Sequence, residues 1–464
     1  MRRILTPPRR RPTELSALSN HFDTTVLATA SGRRDALAFV QQALFAVSDQ
    51  AGGRRIHRVS LAGWHALEDS PTWVAKIRGG TSLHTTVQEL HSPSTGVLRN
   101  SREVFDAGST RVTATKLSPV GTQIDVTTTD APPGEATTTL TNVIAGPVSD
   151  GRNIVWVCEE WPTSSMSIVR AGDARPVVRS LPPGLLSSVT CDEVHWAAAW
   201  ETPALAPRLI VADEPAELIK AAWESSGPSD PPWEVEYSSE GVVFARTTPR
   251  GPSRGVAVIV HGGPHSCWLP TFSPLTAMLV ERGWTVVHPN VVGSTLGITF
   301  RENVRFGIDD AADLARVIGK VTEDGVPVVV IGWSYGAYLG ARAATRDVRV
   351  DGLVSLCGFL DPKDILESED TGVKRFLARA KPPDVGWHQI SATSKLVIHG
   401  ATDVRVPVDA MRRYARTSAT QYVELEGEGH GIATDHGGAL AYGALCRWLD
   451  DLDPWDSELP FSPT

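Results

Sequence analysis

The residues with the clearest chemical potential are a serine between two glycines, Gly332-Trp333-Ser334-Tyr335-Gly336. An apolar run, VVVI, precedes them and predicts a buried strand, and the small-residue segment AYLGARAA after them predicts a helix. A sharp strand-to-helix turn strains the serine backbone and exposes its hydroxyl. The first N–H of the helix, that of Tyr335, is then free to stabilise a negative oxygen. The pattern predicts that Ser334 is a nucleophile.

A serine hydroxyl needs a histidine base and usually a carboxylate behind it. KLVIHGATDVRVP supplies a strand and then a loop with Asp403, and YVELEGEGHGI supplies a strand-like run and then His430 between glycines. The order serine, acid, histidine is the one that a strand-turn-helix nucleophile requires. Asp409 and Asp435 are alternatives to Asp403, but both lie near predicted helix starts, where helix capping explains them.

A second glycine-rich turn follows an earlier strand, in VIVHGGPHSCW. Glycines at this point of such a sheet commonly form the other half of an oxyanion hole, and we assign that role to Gly263. His261 and His265 have no carboxylate or cysteine at ligand spacing, so a structural or pocket-wall role is favoured over metal binding. Trp333 is a candidate for lining the pocket, with a core role as the alternative. The sequence predicts no metal and no cofactor.

The elements that must position these residues alternate between strands and helices from about residue 233. Candidate strands are GVAVIV, WTVVHP, PVVVIG, GLVSLC and KLVIHG, and candidate helices are TAMLVERG, DDAADLARVIGKV, YLGARAAT and GALAYGALCRWL. Short apolar strands separated by helices predict a doubly wound α/β domain with a mostly parallel sheet.

The N-terminal half differs: residues 25–212 consist of short Val-, Thr- and Trp-rich runs broken by turn residues, which predicts an all-β domain. Turn-then-strand segments that start at Leu117, Pro147 and Val189 form a faint repeat. It favours a short or degenerate β-propeller, with a β-sandwich as the alternative. We therefore divide the chain into an arm (1–24), a β domain (25–212), a linker with a short helix-like piece (213–232) and a catalytic domain (233–464).

Composition limits the partners. The chain has 464 residues, a net charge of −9, no apolar stretch of signal-peptide or membrane-helix length, and five scattered cysteines. Acidity weighs against nucleic acid or an anionic membrane as the main partner. These features predict a cytoplasmic protein with free thiols and leave a homo-oligomer open.

In combination, HGGP, PNVVGS, GWSYGAY, DVRVP and GEGHG resemble the prolyl oligopeptidase family, and its acylaminoacyl-peptidase and dipeptidyl-peptidase-like branches above all. The resemblance covers about residues 233–450. It implies a β-propeller joined to an α/β-hydrolase domain, and Ser334, Asp403 and His430 match the triad positions. It also implies that Arg405 lies near the site and contacts substrate, with a surface arginine as the alternative.

Three features depart from that family pattern. Val292 stands where the family usually carries an arginine, and the β domain is shorter than the usual seven or eight blades. The Glu159-Glu160 dipeptide lacks the context of the glutamate pair with which dipeptidyl peptidases hold a free N-terminus. The second departure predicts a less complete filter on substrate size, and the third disfavours strict dipeptidyl peptidase activity.

The predicted function is a serine peptidase or hydrolase that cleaves amide bonds of peptides or N-acylated amino acids. An esterase, or an acyltransferase such as a peptide cyclase of natural-product biosynthesis, would use the same triad and is the first alternative. A non-enzymatic propeller binding protein is the alternative from another class. The fold does not decide among them.

Overall fold

The structure is a computed structural model. It describes the strands between residues 37 and 87, and then residues 102–452 apart from 118–120, 129–136, 161–162, 192–194, 226–230, 265, 295–303, 323–324, 347–348, 386–389, 391–393, 418–419 and 433–434. The described residues form two compact units. The first runs to Pro231 and adds Leu269–Ala277, and the second covers Pro232–Trp268, Met278–Ser294 and the chain from Val304.

The first unit is built from antiparallel strands. They are β1 (Leu37–Val40), β2 (Ala43–Gln50), β3 (Gly53–Ser60), β4 (Gly63–Ala66), β5 (Val74–Arg78), β6 (His84–Val87), β7 (Arg102–Ala107), β8 (Thr110–Leu117), β9 (Gly121–Thr128), β10 (Thr137–Ser149), β11 (Asn153–Glu160), β12 (Thr163–Arg170), β13 (Val177–Ser180), β14 (Leu185–Cys191), β15 (Trp196–Thr202) and β16 (Leu205–Ala212). Strands that follow one another in sequence pair in sheets of four, two, seven and three strands. The all-β class of this half is confirmed.

The long strand β10 joins two meanders. Its first part, Thr137–Thr141, pairs with β9, and its second part, from Asn142 to Ser149, pairs with β11. Each meander has four strands on this count, which is the repeating unit of a propeller blade. The propeller itself stays a prediction.

A helix, α1 (Pro215–Ser225), follows β16 in the segment predicted as a linker. Leu218 and Ala222 are buried, and they belong to the same apolar cluster as Trp196 and Ile210 of the three-stranded sheet. The helix-like piece is therefore part of the first unit's core. The domain limits predicted from sequence remain predictions.

The second unit is a sheet of eight strands with helices between them. Its strands are β17 (Trp233–Tyr237), β18 (Val243–Thr247), β19 (Gly255–Val260), β20 (Trp284–Pro289), β21 (Val328–Trp333), β22 (Gly352–Leu356), β23 (Ser394–Gly400) and β24 (Thr420–Leu425). Its helices are α2 (Pro274–Glu281, which begins in the first unit), α3 (Asp309–Val321), α4 (Tyr335–Ala344), α5 (Thr371–Ala380), α6 (Val408–Thr417) and α7 (Asp435–Leu452).

The strand order is β17-β18-β20-β19-β21-β22-β23-β24, and every pair from β20 to β24 is parallel. Only the pairs made by β18 are antiparallel within this sheet. All five strands predicted in this half are present, because each is a short apolar run that is buried on both faces. The predicted α/β-hydrolase class is confirmed.

This topology positions the candidate site. The carboxyl ends of parallel strands lie along one edge of a sheet, so the turns after β19, β21, β23 and β24 open at the same edge. Those four turns carry Gly263, Ser334, Asp403 and His430.

No helix in the described part of the chain is both long enough and apolar enough to cross a lipid bilayer.

Candidate active site

Ser334 lies on a strained turn between β21 and α4. Its backbone has φ 54° and ψ −117°, a conformation that residues with a side chain rarely adopt. The flanking glycines are required sterically. A Cβ on Gly332 would lie 2.3 Å from the Ala337 nitrogen, and one on Gly336 would lie 2.3 Å from the Val260 carbonyl oxygen. The turn thus holds the hydroxyl of Ser334 in a fixed position.

Ser334, His430 and Asp403 form a continuous hydrogen-bonded chain. The Ser334 Oγ is 3.0 Å from His430 Nε2, and His430 Nδ1 is 2.8 Å from Asp403 Oδ2. The Asp403 side chain is fully buried, whereas 17% of the His430 side chain is exposed. With Nδ1–H donating to the carboxylate, Nε2 is left as the acceptor for the serine proton. This geometry is that of a nucleophile, a base and an acid that orients the base.

The carboxylate of Asp403 is also held by its own loop. Its Oδ1 accepts hydrogen bonds from the backbone N–H groups of Arg405, at 2.8 Å, and Val406, at 3.0 Å. One oxygen is therefore fixed by backbone donors while the other faces His430. The two hydrogen bonds fix the orientation of the carboxylate within its loop.

The acid loop and the base loop approach each other closely. A Cβ on Gly400, the last residue of β23, would lie 2.3 Å from the Gly429 carbonyl oxygen and 2.6 Å from that of Glu428. Because backbone atoms block that position, only glycine fits there. The close approach brings His430, the residue after Gly429, against Asp403.

The N–H of Tyr335 is the first of helix α4, and the first N–H groups of a helix have no partner within it. The glycine turn after β19 lies beside Ser334. A Cβ on Gly262 would lie 3.4 Å from Ser334 Cβ, and Gly263 is exposed with φ 150°. Sequence reasoning singled out Gly263, whereas Gly262 also borders the serine. The HGGP motif contains both glycines, and the sequence alone does not show which of the two lies next to the serine.

His261 holds this glycine turn through both ring nitrogens. Its Nδ1 lies 2.7 Å from the Gly262 carbonyl oxygen and its Nε2 lies 3.0 Å from Ser294 Oγ. Since a carbonyl oxygen only accepts, Nδ1 carries the proton. Desolvation by the surrounding protein lowers the pKa of His261, which favours this neutral form. These contacts favour a structural role for His261.

Trp333 is partly exposed, and its Cδ1 is 3.7 Å from the Cβ position of Gly262.

Arg405 is bound to an acidic partner. Its Nε donates to Asp370 Oδ2 at 3.1 Å, and 47% of its side chain remains exposed. The other Asp370 oxygen caps α5 by accepting from the N–H groups of Gly372 and Val373. The pair therefore connects the acid loop to the start of helix α5.

Sequence reasoning missed Asp310, which binds the side chain of Tyr335, the residue after the nucleophile. It is buried, and its Oδ2 accepts a 2.7 Å hydrogen bond from the Tyr335 hydroxyl, while its Oδ1 accepts from the N–H groups of Gly307 and Ala311. Burial raises the pKa of Asp310 to about 6. Asp310 stands in the first turn of α3, where an aspartate is common for helix capping and so gives no signal of a further contact. Within the described residues, no group of three or more His, Cys, Asp or Glu side chains is arranged to hold a metal ion.

Comparisons with known proteins agree with this architecture. The model of the alpha/beta hydrolase family matches residues 257–388. The acylamino-acid-releasing enzyme 1 of Oryza sativa subsp. japonica is 26% identical over 206 residues, which cover 38% of this chain and 26% of that protein. The dipeptidyl peptidase family member 6 of Caenorhabditis elegans is 25% identical over 243 residues, which cover 44% of this chain and 32% of that protein.

Among solved structures, the acylaminoacyl peptidase of Pyrococcus horikoshii matches with a TM-score of 0.59 at 12% identity, covering 92% of this chain and 97% of that one. The alignments span about a third or less of the two curated relatives, at 26% and 32% of their lengths. The structural likeness supports the fold. Together with the five motifs, these matches show that the chain has the α/β-hydrolase fold and resembles the prolyl oligopeptidase family.

Proposed function

We propose that the protein is a serine hydrolase that cleaves amide bonds of peptides or N-acylated amino acids through an acyl-enzyme on Ser334. The observation that carries the proposal is the hydrogen-bonded chain from Ser334 Oγ through His430 to Asp403, at 3.0 and 2.8 Å. The strained backbone of Ser334 adds to it, since such strain is retained where the fold needs an exposed nucleophile.

In the first half-reaction, Ser334 Oγ attacks the carbonyl carbon while its proton moves to His430 Nε2. Asp403 stabilises the imidazolium through Nδ1–H. The carbonyl oxygen becomes an oxyanion, which the N–H groups of Tyr335 and Gly263 stabilise. His430 then gives its proton to the leaving amine as the C–N bond breaks, and the acyl group stays on Ser334.

In the second half-reaction, water attacks the acyl-enzyme. His430 takes one proton from the water and returns it to Ser334 Oγ as the ester bond breaks, which releases a carboxylic acid and restores the site. No step draws on a cofactor. The side chains of Asp403 and His430 therefore serve both half-reactions with the same geometry.

The names of the relatives supply the substrate class. An acylamino-acid-releasing enzyme and an acylaminoacyl peptidase act on N-acylated aminoacyl groups, and we extend that class to this chain as a proposal. Arg405 and Trp333 are the proposed substrate-contacting residues, and His261, the third residue predicted at the substrate site, is proposed to shape it. For Arg405 the support is its half-exposed guanidinium two residues after the acid. His261 would act through the turn it holds rather than by touching substrate.

The experiment has two arms. Purified protein and Ser334→Ala are treated with a fluorophosphonate, whose phosphorus bonds to an activated serine oxygen as fluoride leaves, and the adduct is located by mass spectrometry. Both are then given free and N-acetylated aminoacyl and short-peptide p-nitroanilides beside p-nitrophenyl esters. The proposal expects labelling at Ser334 and serine-dependent cleavage of p-nitroanilides.

Each contrary outcome is informative. An unlabelled wild-type protein would overturn the hydrolase and favour the non-enzymatic binding protein. Labelling with cleavage of esters alone overturns the peptidase and favours an esterase, and transfer of the acyl group to an added amine favours an acyltransferase.

We also propose a cytoplasmic location, a propeller-like β domain within residues 25–212 and a catalytic domain within 233–464. A homo-oligomer stays open.

A further inference from the structure

A second buried histidine, His399, lies under the acid loop. It is the penultimate residue of β23 and has no solvent exposure. Its Nε2 is 2.9 Å from the Val406 carbonyl oxygen and 3.4 Å from Asp403 Oδ2. Because the carbonyl can only accept a hydrogen bond, the proton of His399 is on Nε2. The same nitrogen therefore lies within 3.4 Å of both the Val406 carbonyl oxygen and the Asp403 carboxylate.

This position lets one imidazole act on both carboxylate oxygens. The N–H of Val406 donates to Asp403 Oδ1, so holding Val406 through its carbonyl also fixes that donor. The other oxygen, Oδ2, faces His430 Nδ1 at 2.8 Å and His399 Nε2 at 3.4 Å. His399 thus connects the two sides of the carboxylate that orients His430.

The charge state of His399 suits such a role. Burial lowers its pKa, and His430 acts in the same direction, whereas Asp403 and Glu424 raise it. Glu424 is the register partner of His399 on β24, and its carboxylate accepts from Arg412 and from the Tyr422 hydroxyl. A neutral His399 presents an N–H dipole to Asp403 without a full positive charge that would compete with His430 for the carboxylate.

Stability alone does not account for a histidine here. Its Nδ1 is buried and has no hydrogen-bond partner among the described residues. A buried acceptor without a partner costs free energy, and an apolar side chain at the same place in the strand would avoid that cost. The hydrogen bond to Val406 and the proximity to Asp403 are what the imidazole supplies in exchange.

We propose that His399 is a positioning residue for the catalytic acid: its Nε2–H anchors the Val406 backbone and faces Asp403 Oδ2, and so fixes the carboxylate that orients His430. The inference rests on the proposed function, because Asp403 is a catalytic acid only if Ser334 is the nucleophile.

The test compares two substitutions with a surface control. His399→Gln keeps an N–H at about the place of Nε2, whereas His399→Leu removes it at similar volume. His436→Gln changes an exposed histidine of α7 and is the matched control. The rate of fluorophosphonate labelling is measured as a function of reagent concentration, which separates the maximal rate from half-saturation.

We expect His399→Leu to lower the maximal labelling rate by about 10- to 100-fold, the scale on which a misplaced catalytic group acts. Half-saturation should stay within about twofold, because His399 does not touch the reagent. His399→Gln should recover most of the rate, and His436→Gln should match the wild type. Equal loss in the Gln and Leu variants, or a wild-type rate in the Leu variant, would overturn the inference.

A second readout does not depend on turnover. The proton between His430 Nδ1 and Asp403 gives a far-downfield ¹H NMR resonance, which reports the hydrogen bond directly. His399→Leu should shift or broaden it in folded protein, and His399→Gln should preserve it. An unchanged resonance in the Leu variant overturns the inference. If the wild type fails to label but the resonance responds to His399, the proposed function fails and the positioning of Asp403 stands.

Discussion

Thr402 donates two hydrogen bonds to a single carbonyl oxygen, that of Glu428. Its backbone N–H lies 2.9 Å from that oxygen and its hydroxyl 2.8 Å. Thr402 directly precedes Asp403, and Glu428 lies two residues before His430. The double contact therefore joins the loop of the acid to the loop of the base, and it does so without using either catalytic side chain.

Thr402→Val should weaken this link without changing side-chain volume. The hydroxyl donor is lost while the backbone hydrogen bond remains, so we expect a loss of about 1 kcal/mol in stability. We also expect a fall of about three- to tenfold in the maximal fluorophosphonate labelling rate, since a small displacement of the acid from the base reduces catalysis. Thr402→Ser keeps the hydroxyl and should stay near the wild type. Equal rates for the Val and Ser variants would show that the backbone bond suffices.

Asp403→Asn should leave the fold intact and remove most of the activity. The oxygen of the asparagine amide would replace Oδ1, which accepts from two backbone N–H groups, so the uncharged NH2 group would face His430 Nδ1. An NH2 group cannot accept the Nδ1–H, so the imidazole loses its orientation and its tautomer. In serine proteases this change costs about 10⁴-fold in kcat. The measurement is serine-dependent hydrolysis of the best substrate of the panel, with circular dichroism to verify the fold. A loss below about tenfold would favour Asp409 or Asp435 as the acid.

Gly336→Ala should lower the stability of the protein, whereas Gly319→Ala should raise it. A Cβ on Gly336 would lie 2.3 Å from the Val260 carbonyl oxygen, and neither backbone can yield, so we expect a loss of about 3 kcal/mol or more. A Cβ on Gly319 of α3 would meet nothing within 4 Å, and the helix should gain about 0.5–1 kcal/mol from alanine. Chemical denaturation of both variants measures the difference. A tolerated Gly336→Ala would contradict the close packing of the nucleophile turn against β19.

Asp310 should make stability depend on pH in the acid range. Burial raises its pKa to about 6 from 3.8, so the folded protein favours the protonated carboxyl. The stability that the protonated Asp310 carboxyl gives to the folded protein is fully present below pH 3.8 and is lost as the pH rises through 6. The Asp310→Asn variant has no such ionisation. As the pH rises from about 4 to about 7, its free energy of unfolding should therefore increase by about 2 kcal/mol relative to that of the wild type. Urea unfolding across that range measures the difference, and parallel curves for the two proteins would refute it.

The strands and the nucleophile turn of the second unit could be predicted from sequence because their signals are local. An apolar run such as VVVI, two glycines and a small-residue helix all lie within one short segment. The order of motifs along the chain then singled out Asp403 and His430, and the fold joins them to Ser334 in one hydrogen-bonded chain.

The positions that escaped prediction depend on contacts distant in sequence. His399 is an ordinary polar residue in an apolar strand until the loop after it folds back, and the partner of Tyr335, Asp310, is 25 residues away. The pairing of Arg405 with Asp370 spans 35 residues. In the β half, β10 continues through Asn142, a turn-favouring residue type, at the point where the strand changes from one meander to the next. Local propensity carries no information on any of these.

The position of β24 has a further consequence. β24 is an edge strand of the eight-stranded sheet and pairs with β23, and the loop after β24 carries His430. Margins of sheets open locally at lower free energy than inner strands. A small separation at this margin would withdraw the base from Ser334 while the apolar core around β19, β21 and β22 stays packed. We therefore expect catalytic activity to be lost at a lower free energy than the fold itself, through local opening of the edge strand that carries the base.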